Sequence, residues 1–196
     1  MKKTWIIIAV IVVIVIMLYS FFKGSYNNMV TKSENVKASW SQVVTDYQRR
    51  MDLIPNLVST VKGYADFEQT TLTQVIEARA KATSVNINPE NLDANAMKQF
   101  QESQGALSSA LSRLLVTVEK YPDLKANQNF LELQAQLEGT ENRISNARRK
   151  FNEATQDYNT YVRMFPRNIL AGMFGFGQLP YFEAEAGAEK APKVEF

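Results

Sequence analysis

The sequence contains no cysteine and no histidine. Their joint absence excludes disulfide bonds, thiol nucleophiles, zinc sites of Cys/His spacing and histidine general bases. It also leaves the redox compartment unreadable. The Glu-x-x-His motif by which helical bundles hold metal ions is excluded with histidine. Strong charge of one sign is missing too: the formal net charge is +2, and no basic patch is dense enough for nucleic acid. No phosphate-binding GxxxxGK[ST] loop occurs. Asp46 and Asp52 stand six apart, on different faces of any helix, so they make no catalytic carboxylate pair. Ser108 and Ser109 lack a base and suit close helix approach instead. The chain offers no catalytic residue, no metal set and no cofactor site, and is expected not to be an enzyme.

What is present begins with a long apolar run. WIIIAVIVVIVIMLYSFF, residues 5–22, is flanked by Lys2, Lys3 and Lys23. Eighteen uncharged residues in a helix at ~1.5 Å each reach ~27 Å, close to the hydrocarbon thickness of a bilayer. Thirteen of them are Ile, Val, Leu or Phe, worth roughly −4 to −8 kcal/mol on insertion scales. Ten are β-branched, which weakens a helix in water. In lipid an unsatisfied backbone costs far more, so helix wins. Trp5 and Tyr19 fall near the two interfaces, and Ile11 and Phe22 lie at the centre and the exit of the span. A cleaved signal peptide would have a shorter apolar core and a small-x-small site; YSFFKGSYNN offers a poor one. The segment therefore reads as an uncleaved signal-anchor, a single span of the bacterial cytoplasmic membrane. Lys2 and Lys3 on one side nearly balance Lys23, Lys32 and Lys37 on the other, so charge leaves the orientation open.

Helical periodicity dominates the rest. Val36, Trp40, Val43, Tyr47, Arg50, Ile54, Leu57, Val61 and Tyr64 step 4-3 along one face of a helix expected from about Tyr26 to Tyr64. Pro55 should kink it near Asp52. Gly63, then Asp66 as N-cap, predicts a break, although Leu72, Val75 and Arg79 nearly continue the phase and one long bent helix remains open. Residues 83–93 read as a polar loop. Phe100, Gln104, Leu107, Leu111, Leu114, Val118 and Tyr121 mark a helix from about Leu92 to Lys120. From about Asp123 to Met164 a heptad seam alternates large with small: Phe130, Leu137, Ile144, Phe151, Tyr158 and Phe165 against Leu133, Thr140, Ala147, Ala154 and Tyr161. The expected fold is all-α: an antiparallel bundle, four-helix in the favoured count, on a transmembrane helix. Self-association of the seam as a homo-oligomeric coiled coil competes with this. The domains follow as a short N-terminal tail (1–4), the span (5–22), the bundle (26–165), an apolar Gly/aromatic tail (166–183) and a disordered C-terminus (184–196).

Two stretches exceed generic helix: YQRRMDLIPNLVSTVKGYADFEQTTLTQVIEARAKA, residues 47–82, and ANQNFLELQAQLEGTENRISNARRKFNEATQDYNTYVRMFP, residues 126–166. Together with FGFGQLPYFE they resemble the LemA family of bacterial single-span membrane proteins. The resemblance covers nearly all of the chain after the anchor. It implies an antiparallel bundle on a membrane anchor, no catalytic activity, and a bundle on the cytoplasmic side.

Two features invite function. Arg50 falls on an apolar helix face. It is either an anion or partner contact or, the favoured reading, an arginine whose stem packs while its head reaches Glu138 or Glu141. The tail is the second. Met173, Phe174, Phe176, Leu179, Tyr181 and Phe182 cannot all stay in water cheaply, and glycines 172, 175 and 177 argue against helix through FGFG. These side chains seal the bundle, lie in the lipid interface or meet a protein partner; a four-helix count brings the tail back beside the bilayer. The functional expectation is a membrane-anchored scaffold or protein-interaction element, and the alternative is a ligand-sensing bundle with its pocket near Arg50 or Trp40.

Overall fold

The apolar run and the first seam form one helix, not two. In the computed structural model, which describes residues 2–64, 67–85, 87–89 and 92–183, helix α1 spans Lys2–Lys62. The expected separation near residues 22–26 is absent because Gly24 is the sole helix breaker there. A single glycine costs about 1 kcal/mol, and Asn28 Nδ2 donates back to Gly24 O at 2.8 Å. The helix also runs through Pro55. Proline lacks the N–H that would bond to the carbonyl four residues back. That carbonyl, Met51 O, instead accepts from Arg79 Nε at 2.9 Å. An arginine of the next helix thereby satisfies the acceptor that Pro55 orphans.

Helix α1 stops before Gly63. Helix α2 covers Gln69–Ser84, with Glu68 at its N-cap position; the cap expected at Asp66 lies outside the described residues. Asp93 caps helix α3, Ala94–Val118, by accepting from Ala96 N. The long seam helix expected from Asp123 is interrupted: a single turn, α4, Pro122–Lys125, precedes α5, Gln128–Arg163. Asn127 makes the interruption by accepting from Phe130 N, a new N-cap. A short helix not expected from sequence, α6, Arg167–Phe174, follows the cis Phe165–Pro166 bond. It ends at Gly175, whose φ of 76° is the left-handed cap that glycine takes without strain. Helix through FGFG is thus avoided, as the glycines predict.

Contacts along the helices give the topology. Lys32 pairs with Asp157, Arg50 with Glu141, and Tyr64 bonds Asn127, so α5 runs antiparallel to α1 over its whole soluble length. Arg79 meets Met51, and Trp40 Nε1 reaches Ile87 O, so α2 also returns along α1. Phe100 then packs on Trp40 and Tyr47, and Tyr121 on Phe67, so α3 runs outward again. The result is the antiparallel bundle of four long helices, with no strand among the described residues. The seam of α5 is buried by α1 of the same chain, so no second copy is required to cover it.

The α2–α3 hairpin turns around near the level of Trp40. It leaves the membrane-proximal stretch of α1 and α5 without two of its four helices, and α6 with residues 175–183 covers that stretch. The core divides accordingly. One cluster joins Met29, Val36, Trp40, Tyr47, Phe151 and Tyr158 to Leu170, Ala171 and Phe182. The distal cluster joins Ile54, Leu57, Val61, Leu72, Leu107, Leu114 and Phe130. Arg50 sits between them. One seam assignment is corrected: Phe165 is 81% exposed, because α5 ends at Arg163 and the backbone has left the helical path. The expected disorder of 184–196 concerns residues outside those described.

Candidate functional site

The tail is held by two asparagines. Asn159 Nδ2 donates to Leu179 O and its Oδ1 accepts from Leu179 N, both at 2.9 Å. Asn152 does the same for Phe182, at 3.1 and 2.9 Å. Each carboxamide thus completes both backbone groups of one tail residue, as a neighbouring strand would. The spacing is geometric. Seven residues of helix rise ~10.5 Å, and three residues of extended chain cover ~10 Å, so Asn152 and Asn159 meet Phe182 and Leu179 in register. Tyr158 adds a bond from its hydroxyl to Gly177 O at 2.9 Å. Burial raises its phenol above the ordinary value near 10. Gln101 Nε2 donates to Glu183 O at 3.3 Å, tying the end of the tail to α3.

This arrangement divides the six residues expected to meet a partner or the membrane. Phe182 stacks on Trp40, with ring centroids 5.7 Å apart, and meets Phe151 edge-on at 5.5 Å. Arg148 lies over its ring at 5.0 Å. Phe176 and Leu179 are partly buried against the same cluster. Met173, Phe174 and Tyr181 are exposed, together with Phe165 and Ile169. Phe182 and its two neighbours therefore belong to the bundle, and the outward-facing surface is largely that of α6. Sequence reasoning missed Asn152 and Asn159. Their only signal was a seven-residue spacing beside the heptad seam, indistinguishable from ordinary polar helix positions.

Replacing Asn159 by alanine is expected to destabilise the bundle by about 1–3 kcal/mol, since two backbone groups lose their partners. Asn159→Asp keeps the acceptor and loses the donor, and should fall between. Limited proteolysis provides the check: cleavage between residues 175 and 183 should accelerate in the order wild type, aspartate, alanine. Equal rates would show that the asparagine does not hold the tail.

Arg50 forms the second constellation. It is 2% exposed, and its guanidinium reaches three side chains. Nη2 donates to Gln104 Oε1 at 2.6 Å, and Nη1 to Ser108 Oγ at 2.9 Å and Glu141 Oε2 at 3.0 Å. It also lies 5.0 Å over the Tyr47 ring. The packed reading of Arg50 fits this geometry, with Glu141 and not Glu138 as the carboxylate. Gln104 and Ser108 come from α3, so the layer ties three helices together between the two cores. Arg50 Nε and Gln104 Nε2 are buried donors without a protein acceptor. A cavity of ≈ 250 Å³ opens beside Arg50, lined also by Ser108, Ser112, Leu111, Leu115, Gln134, Leu137, Glu138 and Glu141. Asp46, also buried, accepts from Gln42 Nε2, while Asp52 is exposed. No group of three potential metal ligands occurs among the described residues.

At the other end, every residue from Lys3 to Lys23 is exposed, Trp5, Ile11, Tyr19 and Phe22 included. A helix this apolar and this uncovered by protein suits lipid as its environment. These features define a membrane-anchored α-helical bundle protein. The chain belongs to the LemA family, whose model matches residues 39–196. It is 27% identical over 181 residues to magnetosome protein MamQ 2 of Paramagnetospirillum magneticum, covering 84% of this chain and 66% of that protein. Magnetosome protein MamQ of Magnetospirillum gryphiswaldense is 28% identical over 180 residues, 83% of this chain and 66% of its own. Protein LemA of Metamycoplasma hominis is 22% identical over 166 residues, 85% of this chain and 72% of that protein. The chain spans just under two thirds of the length of the magnetosome relatives it matches.

Proposed function

We propose that the protein is a non-enzymatic scaffold of the bacterial cytoplasmic membrane, crossing it once and presenting a helical bundle to protein partners. The observation that carries this is the continuity of α1. One helix of 61 residues is both the membrane segment and the central element of the bundle. With no flexible linker between them, the bundle is held at a set distance and direction from the bilayer, which suits assembly. Two of these relatives are named after a structure, the magnetosome, and not after a reaction, which supports the same reading. Affinity capture of the full chain from mild detergent, with crosslinking before extraction, should recover a stoichiometric partner or a homo-oligomer. Recovery of neither, from protein with intact helical signal, overturns the proposal.

The cavity beside Arg50 favours a second reading, a bundle that senses a small ligand. Arg50, whose buried Nε is unpaired, and an apolar wall of Leu111, Leu115 and Leu137 would take an amphipathic molecule bearing an acceptor. Thermal shifts of the full chain across a panel of small carboxylates and amides test it. A flat response removes this reading and leaves the scaffold in place.

A further inference from the structure

Helix α6 carries an apolar strip that the bundle does not use. Leu170 and Ala171 face the core beside Met29, and the Phe174 ring meets Tyr26 at 5.0 Å. Ile169 and Met173, four apart on α6, remain 56% and 70% exposed, and Phe165, just before the helix, is 81% exposed. Spacing of four places side chains along one edge of a helix. Three large apolar residues left on water are unfavourable, and the bundle already has its seal in Leu170, Ala171 and Phe182.

The level of α6 along α1 decides what covers the strip. Tyr26, which contacts both Phe174 and Phe176, follows the last residue of the apolar run, Phe22, by four positions. At ~1.5 Å per residue that is about 6 Å. The headgroup layer of one leaflet is about 5–8 Å deep. Helix α6 therefore sits at headgroup level whenever α1 spans the bilayer. The charge of this end agrees. No acidic residue occurs from 3 to 33 or from 158 to 182, whereas Lys23, Lys32, Arg163 and Arg167 do. Lys32 is neutralised by Asp157; Lys23 and Arg163 are exposed, and Arg167 stacks over Tyr161, at the level where anionic lipid headgroups lie.

We propose that α6 is a second membrane attachment: an interfacial helix that sinks Phe165, Ile169 and Met173 into the acyl boundary of an anionic leaflet, with Lys23, Arg163 and Arg167 among its headgroups. This rests on α1 being the membrane anchor. A single spanning helix leaves rotation about its own axis unconstrained. A second contact beside it fixes that rotation, so the same face of the bundle always points the same way along the membrane.

The cysteine-free sequence makes the test direct. Single variants Ile14→Cys, Val116→Cys, Ile169→Cys and Met173→Cys of the full chain carry a nitroxide label in vesicles of phosphatidylcholine and phosphatidylglycerol. Collision with oxygen is compared with collision with a water-soluble nickel chelate. The oxygen-to-nickel ratio at 169 and 173 should exceed that at Val116, 70% exposed on α3, several-fold, and should approach that at 14. In pure phosphatidylcholine it should fall at 169 and 173 alone; an unchanged ratio overturns the role of anionic headgroups. A lipid-like ratio at 14 with water-like ratios at 169 and 173 overturns the interfacial helix and leaves the anchor standing. Shielding of 169 and 173 from both reagents also overturns it, revealing a protein or second copy on the strip. A water-like ratio at 14 removes the anchor and this proposal together.

Discussion

Trp40→Ala should lower the unfolding free energy by about 3–5 kcal/mol, the range for deleting a large aromatic from a closed core. Trp40 has no exposed surface and touches the rings of Phe100, Phe151 and Phe182 at 5.3, 5.5 and 5.7 Å. It is where α1, α3, α5 and the returning tail meet. Its loss therefore does more than leave a void, because Phe182 loses the surface it stacks on. In a domain of this size the melting temperature should fall by roughly 10 °C, and protease cleavage within 175–183 should rise with it. A melting temperature within a degree or two of wild type would show that the tail does not depend on this junction. Trp40→Phe, which keeps an aromatic face, should recover about half of the loss.

Arg50→Ala is expected to cost about 2–4 kcal/mol, from the truncated stem and from stranding buried Gln104. The charge pair itself contributes little of this: Glu141 is half-exposed and is rehydrated when its partner goes. Arg50→Met fills the same volume with an apolar chain. Buried ionic groups replaced in this way are often neutral or stabilising, so the methionine variant should melt within a few degrees of wild type. Thermal unfolding of the two variants therefore separates a packing role from a recognition role. If Arg50→Met keeps the fold and abolishes a thermal shift or a captured partner, the arginine serves recognition. If Arg50→Met is as damaging as Arg50→Ala, the polar layer holds the helices in register.

The parts legible in sequence were those with a period. The 4-3 steps of Val36 to Val61 and the heptads of Phe130 to Tyr158 bury as the pattern demands, because a helix with one apolar face has one way to hide it. The carboxylate partner of Arg50 was also within reach, since Glu138 and Glu141 were the acids available one helix away. The interruption at Asn127 and the continuity of α1 through residues 22–26 were not. Each turns on whether a local break is worth its cost in a given packing, and glycine or asparagine in isolation does not say. The tail was read as apolar, with sealing the bundle, the lipid interface and a protein partner all open; Phe182 joins the core, while Met173 and Phe174 stay exposed.

Sequence alone determined that this is an all-helical protein with a bilayer-length apolar segment and no histidine or thiol chemistry. Those properties follow from composition and from spacing along one strand of chain. Only the tertiary structure decided that Asn152 and Asn159 clasp the tail and that α6 lies level with the membrane exit. Both depend on which residues far apart in the chain come to the same height on the bundle. That height is set by the antiparallel register of α1 and α5, a quantity no local pattern encodes.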